Sequence, residues 1–241
     1  MATTAVVYLI PSLLHEEGIN SIPSNLIDAV KKCNVFFVEN ERTARRYLKL
    51  LWKAYLPGQE IVIDNYEWFV SDGSKPAETY FVNKIKEGKI IGIISEAGCP
   101  GVADPGQELI AIAQSMNIKV NPLIGPNSIL LALMACGMNG QQFQFVGYLP
   151  IKDFEKAKAI KELESESVKK DCTQIFIETP YRNNQLIEVL LKNCKATTKL
   201  CIAVDLTSPH EWIKTKTIAE WQNQKPDIHK RPAIFLLYCE K

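Results

Sequence analysis

The twelve residues from Ser95 to Gly106, Ser-Glu-Ala-Gly-Cys-Pro-Gly-Val-Ala-Asp-Pro-Gly, have the composition of a loop built to hold a shape around a ligand. Its glycines permit positive φ and close backbone approach, while its prolines fix φ near −65°. Three carboxylates, Glu39, Glu96 and Glu178, fall at or just after the ends of predicted strands. A carboxylate held there could accept a proton from a reacting hydroxyl. The competing structural readings are a turn cap for Glu178 and a surface ion pair for Glu39. Arg42, Arg45, Arg46, Lys49 and Lys53 fall within roughly a 100° arc of one helix, opposite Ala44, Tyr47, Leu48, Leu51, Trp52 and Tyr55. Five like charges on one face form either a phosphate rail or a solvated surface. Tyr181 and Arg182 could stack on and pair with a nucleotide, or pack a helix entry. The three histidines, His15, His210 and His229, have no metal-ligand spacing, so no metal site is expected. Cys99 has no histidine near it in sequence to activate it.

These residues need elements to position them, and strand and helix signals alternate along the chain. Val6 to Ile10 reads as a strand, and Ser24 as the cap of a helix running to about Lys32. Val35 to Val38 reads as a strand and Glu41 to Tyr55 as a helix. Ile61 to Ile63 predicts a strand, and Asn65 to Ser74 a loop in which Trp68 and Phe69 form a lid or cover the core. A helix over Ala77 to Lys86 and a strand over Ile90 to Ile94 lead into the opening loop. There Asp104 and Pro105 supply a cap and a first-turn proline for a helix from Gly106 to Met116. A strand over Ile118 to Ile124 ends in a second shaped turn, Gly125-Pro126-Asn127-Ser128, before an apolar helix, Ile129 to Cys136. Further strands are predicted at Phe143 to Tyr148, Thr173 to Ile177, Leu200 to Val204, Ile213 to Thr217 and Ala233 to Tyr238. Helices are predicted at Phe154 to Ser167 and Asn184 to Cys194. The first of these mixes lysines, Lys152, Lys156, Lys158 and Lys161, with acids and reads as a solvated surface helix. The pattern is α/β in two domains, 1–124 and 125–241, joined at the second shaped turn.

Global composition narrows the function classes. The chain has 241 residues, 46% hydrophobic and 23% charged, as in a soluble globular protein. Its net charge of +1 gives no overall electrostatic footprint for nucleic acid, so any basic surface is local. The longest apolar run, Ile129 to Met138, is too short to span a membrane. No secretory signal is visible, which predicts a cytoplasmic protein. Seven cysteines without a Cys-x-x-Cys pair predict reduced, mostly buried thiols.

Five ordered segments together resemble one family. The opening loop is similar to the Ser-Asp-Ala-Gly-x-Pro-x-x-x-Asp-Pro-Gly signature of the tetrapyrrole methylase superfamily of S-adenosylmethionine-dependent methyltransferases, in its ribosomal RNA 2′-O-ribose methyltransferase branch. Leu123 to Ser128 resembles that family's Leu-Pro-Gly-Pro-Ser-Ala turn, and Phe145 to Pro150 its Phe-x-Gly-Phe-Leu-Pro segment. Phe176 to Arg182 resembles Phe-Tyr-Glu-Ser-Pro-His-Arg, and Val38 to Arg46 resembles Ala-Glu-Asp-Thr-Arg followed by a helix. The resemblance implies two α/β domains with S-adenosylmethionine in the cleft between them, and a homodimer. It places cofactor contacts at Pro11, Ala97, Gly98, Cys99, Val102, Ser128 and Ile129, and from the second domain at Glu178, Leu206, Pro232 and Ala233. Contacts to an RNA substrate from the ribosomal small subunit are expected at Arg42, Arg45, Arg46, Lys49 and Arg182. A sulfonium methyl is already activated, so its transfer depends mainly on alignment and exclusion of water. A ribose hydroxyl would still benefit from a base, for which Glu39, Glu96 and Glu178 are the candidates.

The sequence departs from that branch at three places. Pro11 to Gly18 replaces Pro-Thr-Pro-Ile-Gly-Asn, Asn65 to Val70 replaces a His-Asn-Glu segment, and the sequence given ends after Tyr238 without the branch's C-terminal extension. Three readings therefore stand. The first is an RNA ribose methyltransferase. The second is a methyltransferase of the same superfamily acting on a tetrapyrrole or another small molecule. The third is a non-catalytic module that binds cofactor or RNA as a regulator.

Overall fold

The computed structural model describes residues 5–71, 75–104 and 106–240. The chain divides into two compact units, Met1–Asn127 and Ser128–Lys241. The first contains β1 (Val6–Ile10), α1 (Leu26–Val30), β2 (Val35–Val38), α2 (Glu41–Tyr55), β3 (Glu67–Val70), α3 (Lys75–Lys86), β4 (Ile90–Ile94), α4 (Gln107–Ser115) and β5 (Lys119–Pro122). Its five strands are all parallel, in the order β3-β2-β4-β1-β5. Alternation along each strand divides the core into two layers. Phe36 and Val38 face one way and pack with Leu26, Val30, Leu48 and Trp52 of α1 and α2. Val35 and Phe37 face the other and pack with Phe81, Ile85, Leu109 and Ala113 of α3 and α4. Gly92 is needed where Phe36 lies across β4, because a Cβ there would stand 2.5 Å from the Phe36 ring.

This topology sets the functional end of the sheet. The chain leaves β2 outward to β3 through α2, and leaves β4 in the opposite direction to β5 through α4 on the other face. The carboxyl ends of β2 and β4 thus flank a topological switch point, the place where open α/β sheets bind ligands.

The edge of this sheet differs from expectation. Ile61 to Ile63 forms no strand; a short 3₁₀ turn occupies Ile63–Asn65, and the strand is Glu67–Val70, inside the expected loop. Aromatic packing decides the register. Trp68 lies 5.0 Å from Phe36 and Phe69 5.5 Å from Phe37, and Tyr80 stacks on Phe69 at 4.5 Å. Trp68 and Phe69 are therefore strand residues and cover the core. Ser24 does not cap α1, whose N-cap is Asn25 without a side-chain hydrogen bond. The expected first-turn proline, Pro105, and the end of the expected loop, residues 72–74, lie outside the described residues.

The second unit comprises α5 (Ser128–Cys136), β6 (Phe143–Tyr148), α6 (Asp153–Lys170), β7 (Thr173–Ile177), α7 (Asn183–Asn193), β8 (Lys199–Val204), β9 (Trp212–Thr217), α8 (Ile218–Asn223) and β10 (Ala233–Tyr238). Its sheet is mixed, in the order β6-β7-β10-β8-β9, with only β6 and β7 parallel. Helices α6, α7 and α8 bury Ile160, Leu186, Leu190 and Trp221 against Phe176, Ile202 and Phe235. Helix α8 is an element that periodicity over so few residues does not announce, although Thr217 and Glu220 form a complete capping box at its start.

Helix α6 is not merely a solvated helix. Lys156 is fully buried, and Glu164 is buried and accepts hydrogen bonds from the Lys195 N–H and the Thr198 hydroxyl. Lys156 stands one turn before Ile160 on the stripe that continues through Leu163 and Ser167, and the stripe carries it into the core.

Candidate functional site

In the first unit, three loops at the carboxyl ends of β1, β4 and β5 are tied together. Ser12 N–H donates to Gly98 O at 2.8 Å, Gly98 N–H returns to Ser12 O at 3.3 Å, and Ser95 Oγ also donates to Gly98 O. Gly98 and Gly101 adopt φ of +74° and +79°, which their lack of a Cβ permits. Gly125 approaches Pro11 so closely that a Cβ would lie 2.3 Å from the proline ring. Tyr47 OH, from α2, donates to Pro11 O at 2.7 Å. Cys99 Sγ points at Pro126 O, 3.5 Å away. Five residues expected at the cofactor, Pro11, Ala97, Gly98, Cys99 and Val102, thus belong to one fastened group of loops, with the Val102 side chain exposed.

Beside this group lies a cavity of about 260 Å³ whose lining includes Ser12, His15, Thr43, Arg46, Tyr47, Glu96 and Ala97. Glu96 enters it with Oε1 engaged by the Thr43 hydroxyl of α2. Glu39, at the end of β2, does not line the cavity; its Oε1 accepts the Glu96 backbone N–H at 3.0 Å. Burial pushes the Glu39 carboxyl up, and the neighbouring Asp104 and Glu96 carboxylates add to the shift against the Glu96 N–H, which lowers it. Among the described residues Glu39 is thus not in a surface ion pair, and its charged neighbours are the acids Asp104 and Glu96.

The expected basic rail is partly spent. Arg45 pairs with Glu41 at 3.1 Å and Asp64 at 2.9 Å and lies over the Trp68 ring, while Arg46 pairs with Glu16. The sequence window of α2 shows Glu41 but hides the other two acids, because Asp64 and Glu16 come from outside it. Arg42 and Lys49 are exposed and make no ion pair among the described residues.

In the second unit, Glu178 is buried and committed. Its Oε1 accepts from Thr179 N–H at 2.8 Å and from Arg182 Nε and Nη2 at 3.0 and 2.6 Å. Lys156 Nζ stands 3.6 Å from Oε2, and neither atom has a hydrogen bond among the described residues. Arg182 is therefore held by Glu178 and is not a free cation. The Lys156 contribution escapes local reading because 22 positions of sequence separate it from its partner. Leu206 is buried in a loop whose flanking residues, Asp205 and Thr207, take left-handed φ of 49° and 68°. For a β-branched residue that conformation is strained. Thr207 Oγ1 is buried without a partner among the described residues. Arg231 braces the loop through Asp205 at 2.6 Å, and Asp205 N–H donates to Pro232 O, the residue before Ala233. Ser128 and Ile129 form the half-buried first turn of α5.

All seven cysteines are free, and burial pushes the Cys33 and Cys201 thiols up to about 12. Among the described residues no group of histidine, cysteine and acid side chains could hold a metal, and no helix is long and apolar enough to cross a membrane.

Solved structures define the class of this fold. The methyltransferase CobJ superposes with a TM-score of 0.59 at 16% identity, covering 97% of this chain and 93% of that one. Uroporphyrin-III C-methyl transferase from Thermus thermophilus, complexed with S-adenyl homocysteine, superposes with a TM-score of 0.54 at 15% identity, covering 96% of each chain. The architecture is that of a two-domain α/β class III methyltransferase. The family described as Tetrapyrrole (Corrin/Porphyrin) Methylases matches residues 20–222, so the chain belongs to that family and is an S-adenosylmethionine-dependent methyltransferase. Among sequence relatives, the protein named Ribosomal RNA small subunit methyltransferase I of Buchnera aphidicola subsp. Schizaphis graminum is 27% identical over 237 residues, which is 97% of this chain and 78% of that protein. Its namesake in Helicobacter pylori is 28% identical over 248 residues, 98% and 83% of the two chains.

The residues present fit the methyl donor. Within the first unit Gly98 and Gly101 offer backbone at close range and exposed Val102 offers an apolar surface.

Proposed function

We propose that this protein methylates a ribose 2′-hydroxyl of small-subunit ribosomal RNA, in the cytoplasm and as a homodimer. The observation that carries the reading is the cavity beside the loops of β1 and β4, with the Glu96 carboxylate inside it. Near full-length similarity to proteins named for that substrate supports it. Pro11, Ala97, Gly98, Cys99 and Val102 hold the donor on the first unit, largely through backbone groups. On the second unit the proposed contacts are Ser128, Ile129, Leu206, Pro232 and Ala233, with Glu178 setting the turn of its own segment.

The donor supplies an activated methyl, so the chain's task is to orient the acceptor and remove its proton. Glu96 is the base: Thr43 holds Oε1 and leaves Oε2 for the hydroxyl proton, while Glu39 fixes the Glu96 backbone. Glu178 is excluded from this role, because Arg182 and Thr179 already occupy its oxygen Oε1 and Lys156 neutralises it from behind. Arg42, Lys49 and Lys53 are the cations of the stripe left for RNA phosphates. Exposed Phe143, Tyr148, Ile151 and Phe154, on edge strand β6 and its exit, support a self-associating surface, which light scattering of the purified protein tests.

The deciding experiment incubates the protein with labelled S-adenosylmethionine and undermethylated small ribosomal subunits, with tetrapyrrole precursors in parallel. Label in RNA, mapped to a ribose, is the expected result. Label in the tetrapyrrole alone moves the acceptor to the small-molecule class, and cofactor binding without transfer to either removes the catalytic reading for these acceptors.

A further inference from the structure

Tyr181 is 71% exposed, yet it stands in a firmly anchored turn of the second unit. It is the middle residue of the 3₁₀ turn Pro180–Arg182 that follows β7. The turn is held from within by Glu178, which binds Thr179 N–H and the Arg182 guanidinium. It is held from the side by Lys230 N–H, which donates to Pro180 O at 3.0 Å. Lys230 itself takes a left-handed φ of 62°, and His229 N–H is fixed on Asp227. On the outer surface the His229 ring meets Tyr181 edge-on at 6.3 Å, and Lys230 Nζ lies 5.8 Å from the tyrosine ring centroid.

A large ring kept in solvent on a rigid mount and bordered by the Lys230 ammonium suits stacking on another π surface. Little conformational freedom is lost when a base docks, and the Lys230 charge favours an adjoining phosphate. The surroundings are basic and polar, unlike the centre of a protein interface. We propose that Tyr181, framed by His229 and Lys230, is a stacking site for one unpaired nucleobase of single-stranded RNA, with Lys230 against the neighbouring phosphate. This rests on the RNA reading above and gives it a recognition residue in the second unit.

The test is anisotropy titration of a fluorescein-labelled, unstructured oligoribonucleotide at low salt, with the parent and the Tyr181→Ala, Tyr181→Leu and Tyr181→Trp variants. Tyr181→Ala and Tyr181→Leu are expected to bind about 10-fold more weakly, with Tyr181→Trp near the parent. Equal melting temperatures check the fold. Parent-like binding by Tyr181→Ala, or Tyr181→Leu binding as well as Tyr181→Trp, overturns the stacking site. So does a parent that binds no single-stranded RNA, including one that instead binds a tetrapyrrole through Tyr181. Methylation of ribosomal subunits separates the two ideas. Transfer by the parent with an unchanged KM in Tyr181→Ala sinks the stacking site alone. Tyr181-dependent RNA binding without transfer sinks the acceptor reading alone.

Discussion

Glu39 and Glu178 each follow directly on a buried strand, but the two regions around them have opposite electrostatics. Glu178 is enclosed by cations, Arg182 at 2.6 Å and Lys156 at 3.6 Å. Glu39 is enclosed by acids, Asp104 and Glu96, and its carboxyl is pushed up by burial first and by those neighbours second. The first arrangement spends charge on holding a turn. The second leaves acidity concentrated at the switch point of the parallel sheet, where proton transfer is useful. Equal placement at a strand end therefore does not confer equal roles; the charges that the fold brings from elsewhere decide.

This contrast can be broken most directly at Lys156. Lys156→Ala leaves Glu178 buried with one counter-charge fewer, and is expected to lower stability by about 3 kcal/mol, read by urea unfolding. An unchanged midpoint would mean that Arg182 alone satisfies the carboxylate. Glu96→Gln is expected to reduce kcat about 100-fold, with S-adenosylhomocysteine binding retained in calorimetry, because it removes a base and keeps the shape. Activity near that of the parent would move the base elsewhere. Charge reversal at Arg42 and Lys49 should weaken RNA binding and flatten its dependence on salt, by about 0.7 in the log–log slope per lost phosphate contact. The same reversals at Arg45 and Arg46 should change the slope less, since those cations already face Glu41, Asp64 and Glu16.

The smallest effect sharpens the acidic side. A raised Glu39 pKa means that the fold favours the protonated form, so its stabilising contribution is present below the ordinary carboxylate value of 4.5 and is lost as pH rises through the raised value. Glu39→Gln imitates the protonated form and can still accept the Glu96 N–H. It should match the parent at low pH and exceed it slightly in melting temperature above that window. A lower melting temperature at neutral pH would show that the charge itself holds the loop.

Much of the fold could be read because its signals are local. The apolar face of α2 and the strands of the second sheet follow from spacing alone, and β6, β7 and β10 have the expected limits. The family is legible for a different reason, since the glycine and proline positions of the shaped turns are backbone requirements written directly as residue types. What local reading misses arises from distance. Strand β3 depends on ring packing against β2 across the α2 crossover, and the pairing of Lys156 with Glu178 joins a helix to the turn after the next strand. The pairing of Arg45 with Asp64 and of Arg46 with Glu16 likewise comes from outside their helix. A lysine on the apolar stripe of a charged helix is nevertheless a usable signal: periodicity continued backward from Ile160 reaches Lys156.

The position of β1 also fixes an order of events during synthesis. Among the described residues its neighbours in the sheet are β4 and β5, which begin at Ile90 and Lys119, long after it in the sequence. From the time it leaves the ribosome until those segments emerge, Val6–Ile10 has no edge to join, and its apolar residues depend on chaperones or transient collapse. The second unit has no such wait in its opening strands, because β7 pairs with β6 soon after it is made. Slowed translation between β1 and β4 should therefore lower the yield of folded protein more than an equal delay within the second unit.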